Sequence, residues 1–198
     1  MKSQEIYNKY VIKSKAMLCE ILHYEYALYR NYMYKNSKLY ILGKFKSENV
    51  IEIMKWQKIA RTTDYYDYQY HSTGSVFYLI KYLWNIRKRN ILGNRLGLEI
   101  STELIGKGLC IYHFNNVINS NAVIGENCHI HGTVVIGNDG KTNDCPIIGN
   151  NVMIGAGAKV IGNVTIADNI RIAAGAVVVN SFTEPGITIG GIPARKLK

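Results

Sequence analysis

The chain has 198 residues and carries 24 Lys and Arg against 14 Asp and Glu, a net charge of +10. That length allows one large domain or two small ones, and the basic balance points to an anionic surface or ligand. No nucleic-acid motif accompanies the charge, which argues against a nucleic-acid reader. The opening Met1-Lys2-Ser3-Gln4-Glu5 has no apolar signal core, so a cytoplasmic location is expected. The four cysteines lack zinc or disulfide spacing.

Composition divides the chain near residue 98. Residues 1–104 hold 14 of the 15 tyrosines but only 4 of the 18 glycines, so a helical front and a glycine-rich rear are expected. From the N-terminus, the pattern predicts a helix from about Ser3 to Met33 with Ser3 as N-cap, then a linker from Asn36 to Ser47 containing Gly43. A second helix is predicted from Glu48 to Ala60 and a polar turn from Arg61 to Gly74. A third helix runs from Ser75 to Asn90, with Gly93 and Gly97 punctuating its end. The stretch Val76–Trp84 is too short to span a bilayer and contains Lys81. Arg87-Lys88-Arg89 follows it, with Arg95 nearby. The cluster reads either as a solvated helix end or as a contact with anionic lipid or a lipid-linked sugar at the inner membrane surface.

The rear half repeats every six residues. Ile118, Ile124, Ile130 and Ile136 form one series, and Ile148, Ile154, Val160, Ile166, Ile172 and Val178 continue it in phase. Tyr112 and Thr142 are the two in-phase exceptions. Four residues after each aliphatic comes a small or apolar residue, such as Ala122, Cys128, Val134 or Val152. A period of six fits neither helix nor strand, but it fits a β-helix in which each repeat is one side of a coil. Stacked coils would bury the aliphatic residues in a continuous ladder, with glycine and asparagine taking left-handed corners. The segment Asn138–Pro146 has no ladder residue and reads as a loop leaving the wall, either a substrate contact or a simple connector. The expected layout is therefore a front region at 1–98, a coil at 99–184 with a loop near 138–146, and a tail at 185–198.

Residues 99–198 resemble the hexapeptide-repeat acyltransferases, within them the serine acetyltransferase-like branch. The stretches that carry the resemblance are Ile105-Gly106-Lys107-Gly108-Leu109, Ala122–Asn127, Ile154–Asn163 and Gly190-Gly191-Ile192-Pro193-Ala194-Arg195. The tail Ser181–Gly191 is most similar to relatives from capsule and exopolysaccharide gene clusters. The resemblance implies a mainly β fold, a left-handed parallel β-helix after an N-terminal α-helical region. It also implies a homotrimer that binds acetyl-CoA in grooves between subunits.

The resemblance places a catalytic histidine at His113. A hydroxyl is a poor nucleophile while protonated, and a neutral imidazole can take its proton as it attacks the thioester. Glu99 is the residue nearest to the family's acidic position, with Glu103 as the alternative, and either could orient the imidazole. His131 is a further catalytic candidate, and His129-x-His131 has a spacing that suggests metal, although no metal site is expected. Small residues that would accept pantetheine fall at Asn138, Ala156 and Ala174. Arg195 and Lys196 are candidates for the coenzyme A phosphates, with Lys159 a weaker one.

The sequence departs from serine acetyltransferases at three points: Tyr112 replaces Asp, Cys145 replaces a histidine before Pro146, and the segment from His113 to Ile124 is one residue shorter. These departures argue against serine as acceptor, and the resemblance of the tail implies a sugar, nucleotide-sugar or lipid-linked oligosaccharide hydroxyl instead, in surface polysaccharide synthesis. Serine O-acetylation, a non-catalytic binding trimer and a metal-dependent hydratase are the rival readings.

Overall fold

The computed structural model describes residues 8–34, 37–46 and 48–197. The chain divides after Leu96 into two compact units.

In the first unit, α1 (Lys15–Met33) starts at Ser14, whose extended backbone lets its Oγ accept from the Met17 N–H at 3.2 Å. The expected cap at Ser3 lies outside the described residues. A helix, α2 (Ser37–Phe45), occupies most of the stretch read as a linker. Gly43 sits inside it because the space is taken: a Cβ there would lie 2.8 Å from Tyr34 Oη and 2.9 Å from Glu48 Oε2. Those two groups are themselves hydrogen-bonded at 2.8 Å.

The expected turn at 61–74 is also helix. α3 runs from Asn49 to Thr73 and stops at Gly74, whose φ of +67° only glycine adopts cheaply. Polarity in this run does not signal a turn, because its polar residues find partners inside the helical unit. Arg61 is buried against Glu25, with Nη2 and Nε donating to Oε1 at 2.7 and 3.2 Å. The Thr63 hydroxyl donates to the Ile59 carbonyl at 2.8 Å. α4 (Val76–Leu96) runs past Asn90 to Gly97, with Gly93 buried inside it rather than ending it. Tyr29, Ile53, Trp56 and Ala60 are buried in this unit, and the Tyr29 hydroxyl donates to Gln57 Oε1.

The second unit is a left-handed parallel β-helix. Its strands are β1 (Leu98–Ile100), β2 (Cys110–Ile111), β3 (Asn116–Ile118), β4 (Val123–Ile124), β5 (His129–Ile130), β6 (Val135–Gly137) and β7 (Ile147–Ile148). They continue as β8 (Met153–Ile154), β9 (Lys159–Ile161), β10 (Thr165–Ile166), β11 (Arg171–Ile172), β12 (Val177–Val178), β13 (Thr188–Gly191) and β14 (Ala194–Lys196). Each strand from β1 to β13 pairs in parallel with a strand one coil away, giving three faces. Face A is β1-β3-β6-β9-β12, face B is β4-β7-β10, and face C is β2-β5-β8-β11-β13-β14. The final hairpin β13–β14 is antiparallel and lies in the stretch read as a tail.

All ten aliphatic ladder residues are buried, and their partners are one another: Ile118 with Ile136, Ile124 with Ile148, Ile130 with Ile154. Partners such as Ile118 and Ile136 are 18 residues apart, whereas Ile136 and Val160 are 24 apart. The loop at 138–146 therefore adds one repeat length of chain without adding a wall, and Thr142 is exposed within it.

The other exception has a different cause. Ile111 pairs with Ile130, 19 residues on, so Ile111 takes the buried ladder place and Tyr112 turns outward. One extra residue is thus accommodated in the corner that carries His113.

Glycine after the aliphatic serves close approach rather than left-handed backbone. A Cβ on Gly125 would lie 2.6 Å from the Gly149 carbonyl, and one on Gly155 would lie 2.5 Å from the Ala174 nitrogen. The left-handed positions of one corner are instead Gly108, Asn127, Asn151, Asn169 and Gly186.

Candidate active site

His113 lies in the corner joining β2 of face C to β3 of face A, and it is exposed. Asn116, fully buried, holds that corner. Its Nδ2 donates to the His113 carbonyl at 2.8 Å, and its Oδ1 accepts from the Val134 N–H of the next coil at 2.9 Å. Gly132 stands directly below, where a Cβ would come within 2.9 Å of His113 Cβ. Nothing in the sequence singled out Asn116 or Gly132, because their importance comes from the adjacent coil.

Beside His113 is an aromatic stack. The Tyr112 ring lies 4.8 Å from that of His131 with planes 17° apart, and 5.8 Å from that of His129 at 23°. Tyr112 Oη and His129 Nδ1 share a hydrogen bond of 2.7 Å, which fixes the ring. The His113 and His131 centroids are 6.3 Å apart. Burial holds the His131 pKa below its ordinary value, and the neighbouring His113 adds to the effect. Burial does the same to His129, helped by His131. The surroundings of His113 are therefore aromatic and, near neutral pH, uncharged.

These depressed values have a consequence for stability. A histidine whose folded pKa lies below its unfolded value stabilises the fold above the unfolded pKa and loses that contribution as pH falls through the folded one. The melting temperature is expected to fall as the pH drops from about 7 to about 5, and the double variant His129→Gln, His131→Gln should flatten that slope. An unchanged slope in thermal unfolding would contradict the assignment.

The register carries the corner down the coil. Two residues beyond Ile111, Ile130, Ile154 and Ile172 stand His113, Gly132, Ala156 and Ala174, one above another at about 4.8 Å per coil. Ala156 and Ala174 are exposed, so the histidine heads a column of small residues. Lys159 follows this corner on face A, exposed, with Nζ 3.5 Å from the Gly157 carbonyl. Glu99 is exposed on β1, one coil above Val117. Among the described residues it makes no hydrogen bond to His113.

Asn138 lies outside the column, at the corner after β6 where the loop opens. Arg195 and Lys196 lie on β14 at the far end of face C, and Lys196 is paired with Glu184 at 2.6 Å. Cys145 is buried and its thiol is pushed up by desolvation. Among the described residues, no group of three His, Cys, Asp or Glu could hold a metal ion.

Comparison with known proteins agrees with this architecture. The family described as bacterial transferase hexapeptide (six repeats) matches residues 145–180. No curated protein matches the chain. Among solved structures, serine acetyltransferase from Neisseria gonorrhoeae in complex with serine is 26% identical over 98% of this chain and 74% of that one, with a TM-score of 0.67. The soybean serine acetyltransferase apoenzyme is 23% identical over 91% and 69%, at 0.68. The Brucella abortus strain S19 enzyme in complex with coenzyme A is 22% identical over 92% and 68%, at 0.70. At that identity the last two speak to the fold alone. The rear unit thus has the hexapeptide-repeat β-helix fold of these structures, and residues 145–180 are similar to the bacterial transferase hexapeptide family.

Proposed function

We propose that this chain is an acetyl-CoA-dependent O-acetyltransferase whose acceptor is a sugar hydroxyl, acting as a homotrimer in the cytoplasm in surface polysaccharide synthesis. The observation that carries the reading is the neutral aromatic group of Tyr112, His129 and His131 beside an exposed His113. A sugar ring offers hydroxyls and an apolar face, which suit such a wall, and it brings no ammonium group that would need a carboxylate. The serine acetyltransferase of N. gonorrhoeae is an enzyme of this chemistry.

The His113 imidazole takes the acceptor proton as the hydroxyl oxygen attacks the thioester carbonyl carbon. The tetrahedral intermediate collapses, the C–S bond breaks, and the imidazolium returns its proton to the departing thiolate. The products are an acetyl ester and free coenzyme A. Corner N–H groups are suited to receive the developing oxyanion. Glu99 is the candidate for orienting the imidazole. The exposed Ala156 and Ala174 leave room for pantetheine, with Asn138 contributing from the loop corner. Arg195 and Lys159 are available to the phosphates, and Lys196 joins them only by leaving its ion pair with Glu184. Outward apolar residues on all three faces, Val117, Ile147 and Met153, support burial between subunits.

A panel of neutral glycosides and nucleotide sugars, assayed beside L-serine by thiol release, tests the proposal. Faster turnover of serine than of any sugar would replace it with serine O-acetylation, the reading favoured by the N. gonorrhoeae likeness. Coenzyme A binding without turnover on any acceptor would leave a binding trimer. Within the sugar reading, Tyr112→Ala is expected to raise the acceptor KM roughly 3–10-fold, the worth of one ring contact, while the acetyl-CoA KM is unchanged. Tyr112→Phe should retain most of the affinity. Equal KM values for Ala and wild type would remove Tyr112 from the acceptor site.

A further inference from the structure

Helix α4 presents an unpartnered face of unusual composition. Val76, Phe77, Ile80, Leu83, Trp84 and Ile91 are between 54% and 65% exposed. Their spacing of three, four and seven residues puts them in one stripe along the helix. The opposite side packs on α3 and buries Gly93 and Leu96.

Along one edge of the stripe run Lys81, Lys88 and Arg95, seven residues apart and all exposed. Lys81 Nζ lies 5.5 Å from the Phe77 ring centroid and Lys88 Nζ 5.0 Å from that of Trp84. Arg87 lies within the stripe and is also exposed. With Arg89, the helix carries five cations and no acidic residue.

We propose that this face docks on an anionic lipid surface, with the helix lying in the plane of the headgroups. Apolar side chains on one face with lysine and arginine at the border give such a helix both of its binding contributions: burial of the stripe and attraction to lipid phosphates. Among the described residues no helix is long and apolar enough to cross a membrane, which fits lying on the surface rather than spanning it. Charge decides against the main competitor. A second copy of this face would bring five more cations against the first and no carboxylate from α4 to meet them. The proposal is independent of the reaction proposed above.

The test uses the full chain, sedimented with vesicles of phosphatidylcholine alone and of phosphatidylcholine mixed with phosphatidylglycerol. Binding to the anionic vesicles only, weakened by salt, is expected. Of the two tryptophans Trp56 is buried, so a blue shift on binding would report Trp84. The double variant Lys81→Gln, Lys88→Gln changes only exposed side chains and should keep the wild-type melting temperature. It should bind roughly 30-fold more weakly, about five-fold for each charge removed. Equal binding to neutral vesicles, no binding to either, or undiminished binding by the double variant would overturn the proposal. So would Trp84 emission that is already blue without lipid, because another copy would then cover the stripe.

Discussion

Replacing His113 with alanine is expected to lower the rate of acetyl transfer by about 10²–10⁴-fold while leaving the melting temperature within a degree or two of wild type. The two halves of this expectation have separate causes. The ring is exposed and, among the described residues, makes no side-chain hydrogen bond, so little of the fold depends on it. Alanine keeps the Cβ that rests above Gly132, and the Asn116 bond goes to the backbone carbonyl, which the substitution retains. What disappears is the group proposed to hold the acceptor's proton during attack. Thiol release gives the rate and thermal unfolding gives the control. A variant that keeps wild-type turnover would show that another residue is the base, with His131 the next to examine, 6.3 Å away.

The second large effect is on stability. Ile130→Ala is expected to destabilise the β-helix by about 2–5 kcal/mol. Ile130 is fully buried, with Ile111 above it and Ile154 below. Both neighbours are held by backbone bonds: the Tyr112 N–H donates to the Ile130 carbonyl, and the His131 N–H to that of Ile154, at 2.9 and 3.1 Å. Rungs fixed in this way cannot settle into the cavity, which places the cost toward the upper end of the range. β5 also carries His129 and His131, so a loosened strand would disturb the Tyr112 stack and reduce activity as well. Urea unfolding measures the loss. Val177→Ala, at a half-buried outward position, should cost less than about 0.5 kcal/mol and serves as the comparison. Equal costs at the two positions would mean that the ladder is not the source of stability.

The sequence disclosed its interior better than its exterior. The ladder was legible because one aliphatic per six residues has no other economical burial, and all ten residues lie inside. The loop at 138–146 was legible from the absence of such a residue. In the helical region polarity is a poor guide, since the run read as a turn from Arg61 to Gly74 is helix as far as Thr73. Arg61 is 1% exposed because Glu25, 36 residues away in sequence, meets it. Gly43 reads as a linker residue, yet it makes room for Tyr34 and Glu48. The site followed the same division. His113 and Ala156 could be named from the resemblance, but Asn116 acquires its role only when Val134 is placed beside it.

Periodicity by itself determined the coil, its buried residues and the place of the inserted loop, since burying apolar surface along a repeating chain leaves few other solutions. Tertiary structure alone decided that Ile111 and not Tyr112 enters the ladder, which turns Tyr112 outward onto His131. It also decided that small residues succeed one another beneath His113, and that α4 leaves its apolar stripe bare. Each of these depends on groups brought together from distant positions, and a one-residue shift in register exchanges the inside of a strand for its outside.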